Sequence, residues 1–205
     1  ANRTTDSTDT TDNTSTSAKA LKAGNEVNIS GGEFKIDSAD DSVHSNGNIV
    51  ITGGNISVAS GDNGMHADGN LTISDGTVDI TKSYEGIEGS IVTIDGGTIS
   101  VVASDDGINC AGGSDTGSTD RMGADQFSSQ DGVELNINGG TVTIDADGDG
   151  LDSNGNFTMA GGTVYVCGPT NGGNGALDYN GTATVTGGTL IACGAVGMEE
   201  GFGDS

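Results

Sequence analysis

The sequence is poor in basic residues, in aromatic residues and in proline. Its 6 lysine and arginine residues face 30 acidic ones, which gives a net charge of −24 at pH 7. Without a basic stripe the chain cannot neutralise phosphates, so nucleic acid and anionic membranes are excluded as partners. Aromatic residues make up 3% and apolar residues 32% of the chain. That is little for a globular core but enough for the narrow core of a solenoid.

The single proline stands against 38 glycines. These glycines therefore serve the corners of a folded chain rather than a collagen-like or disordered one. No window has the periodicity of a helix. No apolar run is long enough to cross a membrane, and no signal peptide is visible.

What the chain contains instead is a repeat of about 22 residues. A glycine pair opens each repeat, and the first positions of successive pairs are separated by 22, 22, 21, 43, 22 and 26 residues. These first positions are Gly31, Gly53, Asp75, Gly96, Gly139, Gly161 and Gly187. A period of this length is typical of a solenoid, in which each repeat forms one coil and neighbouring coils bury a common core.

Apolar residues recur at fixed offsets from each glycine pair. Two columns follow the first glycine at a spacing of two residues, which is the alternation of a strand. The column three residues after it is Phe34, Ile56, Val78, Ile99, Val142, Val164 and Leu190. The column five residues after it is Ile36, Val58, Ile80, Val101, Ile144, Val166 and Ala192. Two residues before it stand Ile29, Ile51, Ile73, Ile94, Ile137, Met159 and Val185, and beyond an acidic turn stand Val43, Met65, Ile87, Ile108, Leu151, Leu177 and Met198. We therefore predict an all-β fold, a right-handed three-sided parallel β-helix of about seven coils.

The repeat defines the domain boundaries. Residues 1–20 are rich in Thr, Ser and Asp and are expected to form a disordered leader. The β-helix domain is predicted over 21–205, with a loop insertion at about 114–131. A polar tether of this kind favours a secreted or cell-surface protein. Because no capping segment follows the last coil, we expect further chain or another molecule to cover that end.

The acids follow the repeat as well. Pairs such as Asp40-Asp41 and Asp105-Asp106 stand nine and ten residues after the first glycine, and a further column follows at thirteen residues: His44, His66, Glu88, Asn109 and Asp152, continued by Asp178 and Glu199. In stacked coils these side chains lie about 5 Å apart, a distance at which like charges repel by several kcal/mol when screening is poor. Hard cations between the coils would relieve that repulsion.

This pattern favours calcium, which prefers oxygen ligands in flexible loops. The strongest predicted site joins Asp105, Asp106 and Asn109 to Glu85 and Glu88 of the preceding coil. The full set of predicted metal ligands is Asp40, Asp41, Asp62, Glu85, Glu88, Asp105, Asp106, Asn109, Asp147, Asp149, Asp152 and Asp178. The alternative is that Asp-Gly pairs merely form solvated turns.

Three features of the sequence have simpler interpretations. The segment 145–150 resembles the start of an EF-hand loop, but Asn156 stands where that loop needs Glu and no flanking helices are predicted. His44 and His66 are expected to be surface residues or occasional ligands. Cys167 and Cys193 share a column on neighbouring coils, so either a disulfide joins them or both remain thiols.

The second half of the chain resembles a known family. Six strings carry the resemblance: GDGLDSNG at 148–155, GGTVYV at 161–166, GPTN at 168–171, GALDY at 175–179, GGTLIA at 187–192 and GADQFSS at 123–129. Together they are similar to the bacterial carbohydrate-binding domain-containing β-helix family. Members occur on the surfaces of clostridia and their relatives. The resemblance implies binding of cellulose or of acidic sugars such as polygalacturonate, and a fold related to polysaccharide lyase family 9.

The resemblance also implies calcium. In the related lyases two adjacent acids, an acid three residues later and an acid from a neighbouring coil hold the ion, and Asp105, Asp106 and Asn109 over Glu85 reproduce that layout with Asn109 in place of an acid. The lyases use a lysine beside the calcium as general base. Lys35 and Lys82 of the predicted rod do not follow this site, so we expect no catalysis.

We therefore expect a non-catalytic, calcium-dependent polysaccharide-binding protein. Calcium at the corners would bridge the acidic protein to an acidic sugar, and the side chains expected to contact the sugar are Tyr84, Arg121, Phe127, Tyr165 and Tyr179. The alternative is a structural subunit that stacks end to end into extracellular filaments through its open strand edges. A third hypothesis is a calcium-dependent pectate lyase.

Overall fold

The computed structural model describes residues 17–111, 129–195 and 201. Within these ranges it contains sixteen strands and no helix. The strands are β1 (Leu21–Ala23), β2 (Glu26–Asp37), β3 (Val43–Ser45), β4 (Asn48–Ala59), β5 (Met65–Lys82), β6 (Ile87–Ile94), β7 (Thr98–Ala103), β8 (Ile108–Cys110), β9 (Glu134–Ile137), β10 (Thr141–Ala146), β11 (Leu151–Ser153), β12 (Asn156–Met159), β13 (Thr163–Cys167), β14 (Leu177–Tyr179), β15 (Ala183–Val185) and β16 (Thr189–Cys193).

All strand pairs are parallel, and they form three ladders that run the length of the rod. The first ladder stacks β1, β3, the start of β5, the start of β6, β8, β11 and β14. The second stacks the first halves of β2 and β4, the middle of β5, the end of β6, and then β9, β12 and β15. The third stacks the ends of β2, β4 and β5 with β7, β10, β13 and β16. Each ladder has seven rungs, so the protein is a parallel β-solenoid of about seven coils, as predicted.

The apolar columns of the sequence form the core. On the third ladder five β-branched side chains stack directly one on the next, and all are buried: Ile56, Val78, Ile99, Val142 and Val164. Fully burying such a side chain contributes about 1.5–3 kcal/mol. In the last coil Val185, which continues the column of Met159, is exposed. Ile191, which lies between the column residues Leu190 and Ala192, is exposed as well.

The glycine pairs turn the chain between the second and third ladders. The second glycine of each pair has a positive φ in all seven coils, between 79° at Gly140 and 105° at Gly54. Residues with a side chain adopt this conformation at a cost. At Gly54 a Cβ would also lie 3.1 Å from the backbone of the coil below. The glycine pair is therefore required by both backbone conformation and coil stacking.

The ends of the predicted domain are only partly described. Residues 1–16 of the predicted leader lie outside the described residues. Three of its last residues contact the solenoid: the Ala18 backbone N–H donates to Asp40, that of Ala20 donates to the Asp41 carbonyl, and the Lys19 ammonium pairs with Asp41. These contacts lie before the predicted boundary at residue 21. Most of the predicted insertion at 114–131 also lies outside the described residues. The part of the chain that the structure describes contains no apolar helix of membrane-spanning length.

Candidate functional site

One edge of the rod, between the third ladder of each coil and the first ladder of the next, carries the acids. We call this edge the acidic corner. It presents a turn column, in which equivalent turn positions are Lys19, Asp41, Asn63, Glu85, Asp106 and Asp149. Beside it runs a strand column on the first ladder, formed by Lys22, His44, His66, Glu88, Asn109, Asp152 and Asp178.

The strand column confirms the register read from the sequence. His44 pairs with His66, His66 with Glu88, Glu88 with Asn109, Asn109 with Asp152 and Asp152 with Asp178. Adjacent parallel strands lie about 4.8 Å apart, so these side chains stack one above another. Glu199, the predicted continuation, lies outside the described residues. Asp147 is exposed, away from this stack.

A lysine ammonium occupies the first coil of the acidic corner. Lys19 pairs with Asp41 and its Nζ lies 3.3 Å from Asp40. The His44 Nδ1 lies 2.9 Å from the same Asp41 carboxylate. Burial opposes the charge of the Lys19 ammonium, but the hydrogen bond and charge of Asp41 outweigh it and raise the lysine pKa. Burial, and next the charge of Lys19, lower the pKa of His44. Asp41 thus has an ammonium partner supplied by the protein itself.

His66 lies between two carboxylates. Its Nδ1 lies 2.7 Å from Glu88 and its Nε2 lies 3.1 Å from Asp68. Burial lowers the pKa of His66, but the hydrogen bond and charge of Glu88 outweigh this and raise it. Both histidines are 2% exposed, so the expectation that they are surface residues is wrong. The first ladder places both imidazole rings against acidic side chains in the interior of the corner, which the spacing in the sequence did not show.

The later coils hold acids in contact with further acids. Burial and then the charge of Asp105 raise the pKa of Asp106 to about 8. Burial also raises the pKa of Asp149 to about 6, and it raises the pKa of Asp152 well above its usual range, with Asp106 and Asp178 as the next causes. These carboxyl groups disfavour one another's ionisation because they are close and poorly hydrated. This part of the corner favours a bound cation.

Backbone donors hold two of these carboxyl groups in place. The Asp149 N–H donates to Asp106 Oδ1 at 2.7 Å, and the Gly175 N–H donates to Asp149 Oδ1 at 2.5 Å. Each carboxyl group is thereby fixed by the coil that follows it. The oxygens of successive coils consequently converge on one line along the rod.

Asn109 lies within this group of acids. Its Nδ2 donates to Glu85 Oε1 at 3.3 Å, while its Oδ1 is buried and has no hydrogen-bond partner among the described residues. A buried acceptor without a donor costs free energy, which a cation would recover. Carboxyl and amide oxygens are the ligands that calcium prefers. The residues present therefore fit a hard, oxygen-coordinated cation.

The structure brings most of the predicted site together but moves one member. Asp105, Asp106, Glu85 and Asn109 gather on neighbouring coils as predicted. The Glu88 carboxylate instead turns to the preceding coil, where it accepts from Asn63 and pairs with His66. Glu88 thus stands beside Asn109 in the strand column, but its carboxylate is held by His66, and its role as a metal ligand stays a prediction.

A second group of acids borders an open cleft on the first coils. Carboxylate oxygens of Asp40, Asp41 and Asp62 lie within 4.8 Å of one another. The cleft has a volume of about 280 Å³ and is lined by Ala39, Asp40, Gly61, Asp62 and Tyr84. The predicted ligands Asp40 and Asp62 and the predicted sugar contact Tyr84 thus share one surface.

The other predicted sugar contacts differ in position. Tyr165 is 44% exposed on the third ladder, away from the acidic corner. Tyr179 is 9% exposed and its hydroxyl donates to the Gly201 carbonyl at 2.7 Å, so its predicted stacking on a sugar is wrong. Its place on the first ladder turns the ring inward. Arg121 and Phe127 lie outside the described residues.

The cysteines show the predicted register. Cys167 pairs with Cys193 between β13 and β16, and both are exposed thiols in this structure. The charge of Cys193 raises the pKa of Cys167. A disulfide between them stays a prediction. Cys110 is a buried thiol opposite Ser153.

The three ladders and the carboxyl-rich corner define a parallel β-solenoid with one polar, acidic edge. A family model described as carbohydrate-binding domain-containing protein matches residues 1–64 and 65–175. The matches cover more than half of the sequence, and the chain belongs to this family. A carbohydrate-binding role follows from that membership. No curated protein and no solved structure matches the chain.

Proposed function

We propose that the protein is an extracellular, calcium-dependent binding module for acidic polysaccharides such as polygalacturonate. The observation that carries the proposal is the buried, unpartnered Asn109 Oδ1 among the mutually repelling carboxyl groups of Asp106, Asp149 and Asp152. A ligand that supplies positive charge there stabilises the ionised acids and satisfies the amide oxygen. Calcium does both.

The charge of the protein explains why the ion matters for binding. At −24 the chain repels a polyanionic sugar. Calcium reverses the charge of the acidic corner locally, and any coordination position left open accepts a sugar carboxylate. On the later coils, the residues that would hold calcium are Glu85, Asp105, Asp106, Asn109, Asp149, Asp152 and Asp178.

The cleft beside Asp40, Asp62 and Tyr84 gives the sugar chain a surface on the same edge of the rod. Sugar rings pack on aromatic faces, and Tyr84 presents an apolar ring with a polar hydroxyl. The exposed turns on either side are open enough for a polymer rather than a small enclosed ligand. The family description names a carbohydrate-binding domain, which supports binding as the function we propose.

Isothermal titration with polygalacturonate tests the proposal. We expect binding in calcium and at least about tenfold weaker binding after chelation. D106N should weaken calcium-dependent binding, whereas D145N removes the same charge from an exposed position of the third ladder and should leave it unchanged. Equal affinity with and without calcium contradicts the proposal. Ultraviolet-absorbing unsaturated product would instead identify a lyase.

One observation favours a filament subunit as a second candidate. The last described rungs, β14, β15 and β16, each pair on one side only within the described residues. A second copy could extend all three ladders in register. Light scattering tests this: calcium-dependent growth of large assemblies supports filaments, and a monomer in calcium at high protein concentration rules them out.

A further inference from the structure

A second cluster in the acidic corner has a different ligand chemistry. Asp41, His44 and His66 each place one ligand atom within 4.8 Å of the others. Their side chains are 1%, 2% and 2% exposed. The three residues lie on two adjacent coils, His44 and His66 in register on the first ladder and Asp41 in the turn column. The cluster therefore rests on a rigid part of the fold.

The two imidazole rings are stacked, with centroids 4.9 Å apart and an angle of 29° between their planes. Parallel stacking in register turns the same edge of both rings toward the turn column. His44 Nδ1 faces Asp41, and His66 Nδ1 faces Glu88 and the Asn63 amide. Two imidazole nitrogens and a carboxylate thus converge on one buried region.

Asn63 provides an independent sign that this region takes a ligand. It is 5% exposed, and its Oδ1 has no hydrogen-bond partner among the described residues. Its Nδ2 lies against His66 at 3.3 Å and donates to Glu88, and its backbone N–H donates to Asp41 Oδ1 at 3.2 Å. The unpartnered amide oxygen therefore belongs to the same cluster. A bound cation is the partner that this oxygen lacks.

We propose that Asp41, His44 and His66 bind a divalent transition-metal ion of the zinc class, with Asn63 Oδ1 as a further donor. Imidazole nitrogen suits zinc, nickel, cobalt and copper, whereas calcium takes oxygen. The site is therefore distinct from the all-oxygen group on the later coils. Three protein ligands plus a fourth oxygen donor match the coordination number that zinc favours.

The Lys19 ammonium is the internal cation that the metal replaces. Its Nζ pairs with Asp41, and Lys19 lies before β1 in no strand. The side chain can therefore leave Asp41 without breaking a ladder. The metal then carries the positive charge that Lys19 otherwise supplies beside Asp41.

The chain has only 2 histidines, so their ¹⁵N signals report on the site directly. The experiment adds zinc to the untagged full chain in excess calcium, which saturates sites built from oxygen alone. We expect one equivalent of zinc to shift the imidazole nitrogen signals of both His44 and His66. A shift of only one histidine, or of neither, overturns the proposal, and this readout needs no variant.

Variants then assign the ligands, with cobalt as the visible probe. His44→Gln and His66→Gln should each weaken cobalt binding by more than about tenfold. Asp145→Asn, at an exposed position of the third ladder, should leave cobalt binding unchanged. Far-ultraviolet circular dichroism confirms that each variant keeps the β-solenoid. A folded His44→Gln variant that binds cobalt as tightly as the native chain also overturns the proposal.

Discussion

The carboxyl group of Asp106 accepts a hydrogen bond of 2.7 Å from the backbone N–H of Asp149, which lies one coil further along the rod. The bond places one acid directly beneath another. It also links the ionisation of the later coils to the stacking of the ladders. The same relationship recurs between Asp149 and Gly175, so each of these two carboxyl groups is held by the coil that follows it.

The raised pKa values predict how the metal-free protein responds to pH. The folded-state pKa is about 8 for Asp106 and about 6 for Asp149, against an ordinary value of 3.8. The folded chain therefore holds more protons than the unfolded chain across this window. The stability that these two groups contribute is fully present below about pH 4 and is lost as pH rises toward 8. Urea unfolding in a chelator at pH 5 and pH 8 measures the difference.

Calcium should remove that fall, because it stabilises the ionised acids. Asp106→Asn should flatten the pH dependence in chelator, whereas Asp145→Asn should retain it. Metal-free protein that is as stable at pH 8 as at pH 5 contradicts the prediction.

Asn109→Asp tests the calcium ligands by adding one. The new carboxyl group continues the acids of Asp152 and Asp178 along the strand column. We expect lower stability of the metal-free variant, because another like charge is buried beside Asp106, and tighter calcium binding because another oxygen carries charge. Thermal unfolding with and without calcium measures both effects. A variant with weaker calcium binding than the native chain shows that Asn109 does not face the ion.

Gly54→Ala should destabilise the solenoid by roughly 1–2 kcal/mol or more, since φ is positive there. The new Cβ would also lie 3.1 Å from the backbone of Gly31 and Gly32. Gly31→Ala is the matched control, because a Cβ at Gly31 meets no atom within 4 Å. Chemical denaturation compares the two variants. Equal losses of stability would mean that the glycine pair serves something other than the turn.

Tyr84→Ala should weaken polysaccharide binding while calcium-induced stabilisation is kept. Tyr84 lines the cleft beside Asp40 and Asp62, whereas Tyr165 is exposed on the third ladder. Tyr165→Ala therefore serves as the control. Affinity electrophoresis in gels containing polygalacturonate compares the variants. Greater loss from the change at Tyr165 would place the sugar on the third ladder instead.

Much of the fold follows from spacing in the sequence. A step of 22 residues returns the chain to the same point of the next coil, so His44 over His66 could be predicted from position alone. Asn109 over Asp152 follows from the glycine pairs, which mark the longer step between them. The glycine pairs and apolar columns fix the corners and the core for the same reason. A repeat makes tertiary neighbours out of residues at a constant separation.

The spacing of residues in the sequence did not predict the directions of the side chains. Glu88 could have turned toward Asn109 but turns to His66, and the histidines expected at the surface are buried. Tyr179 packs inward and its hydroxyl meets Gly201. Each outcome depends on which partner lies closest once the preceding and following coils are in place. The spacing of residues in the sequence does not give that information.

By itself the sequence determined the solenoid, its number of coils and the edge that collects the acids, because parallel stacking follows from a constant period. Only the tertiary structure decided which acids pair with Lys19 and His66 and which are left to repel one another. It also isolated the amide oxygens of Asn63 and Asn109, which have no partners among the described residues. Burial and hydrogen bonding are properties of the assembled coils, since donors and charges from neighbouring coils meet at this edge.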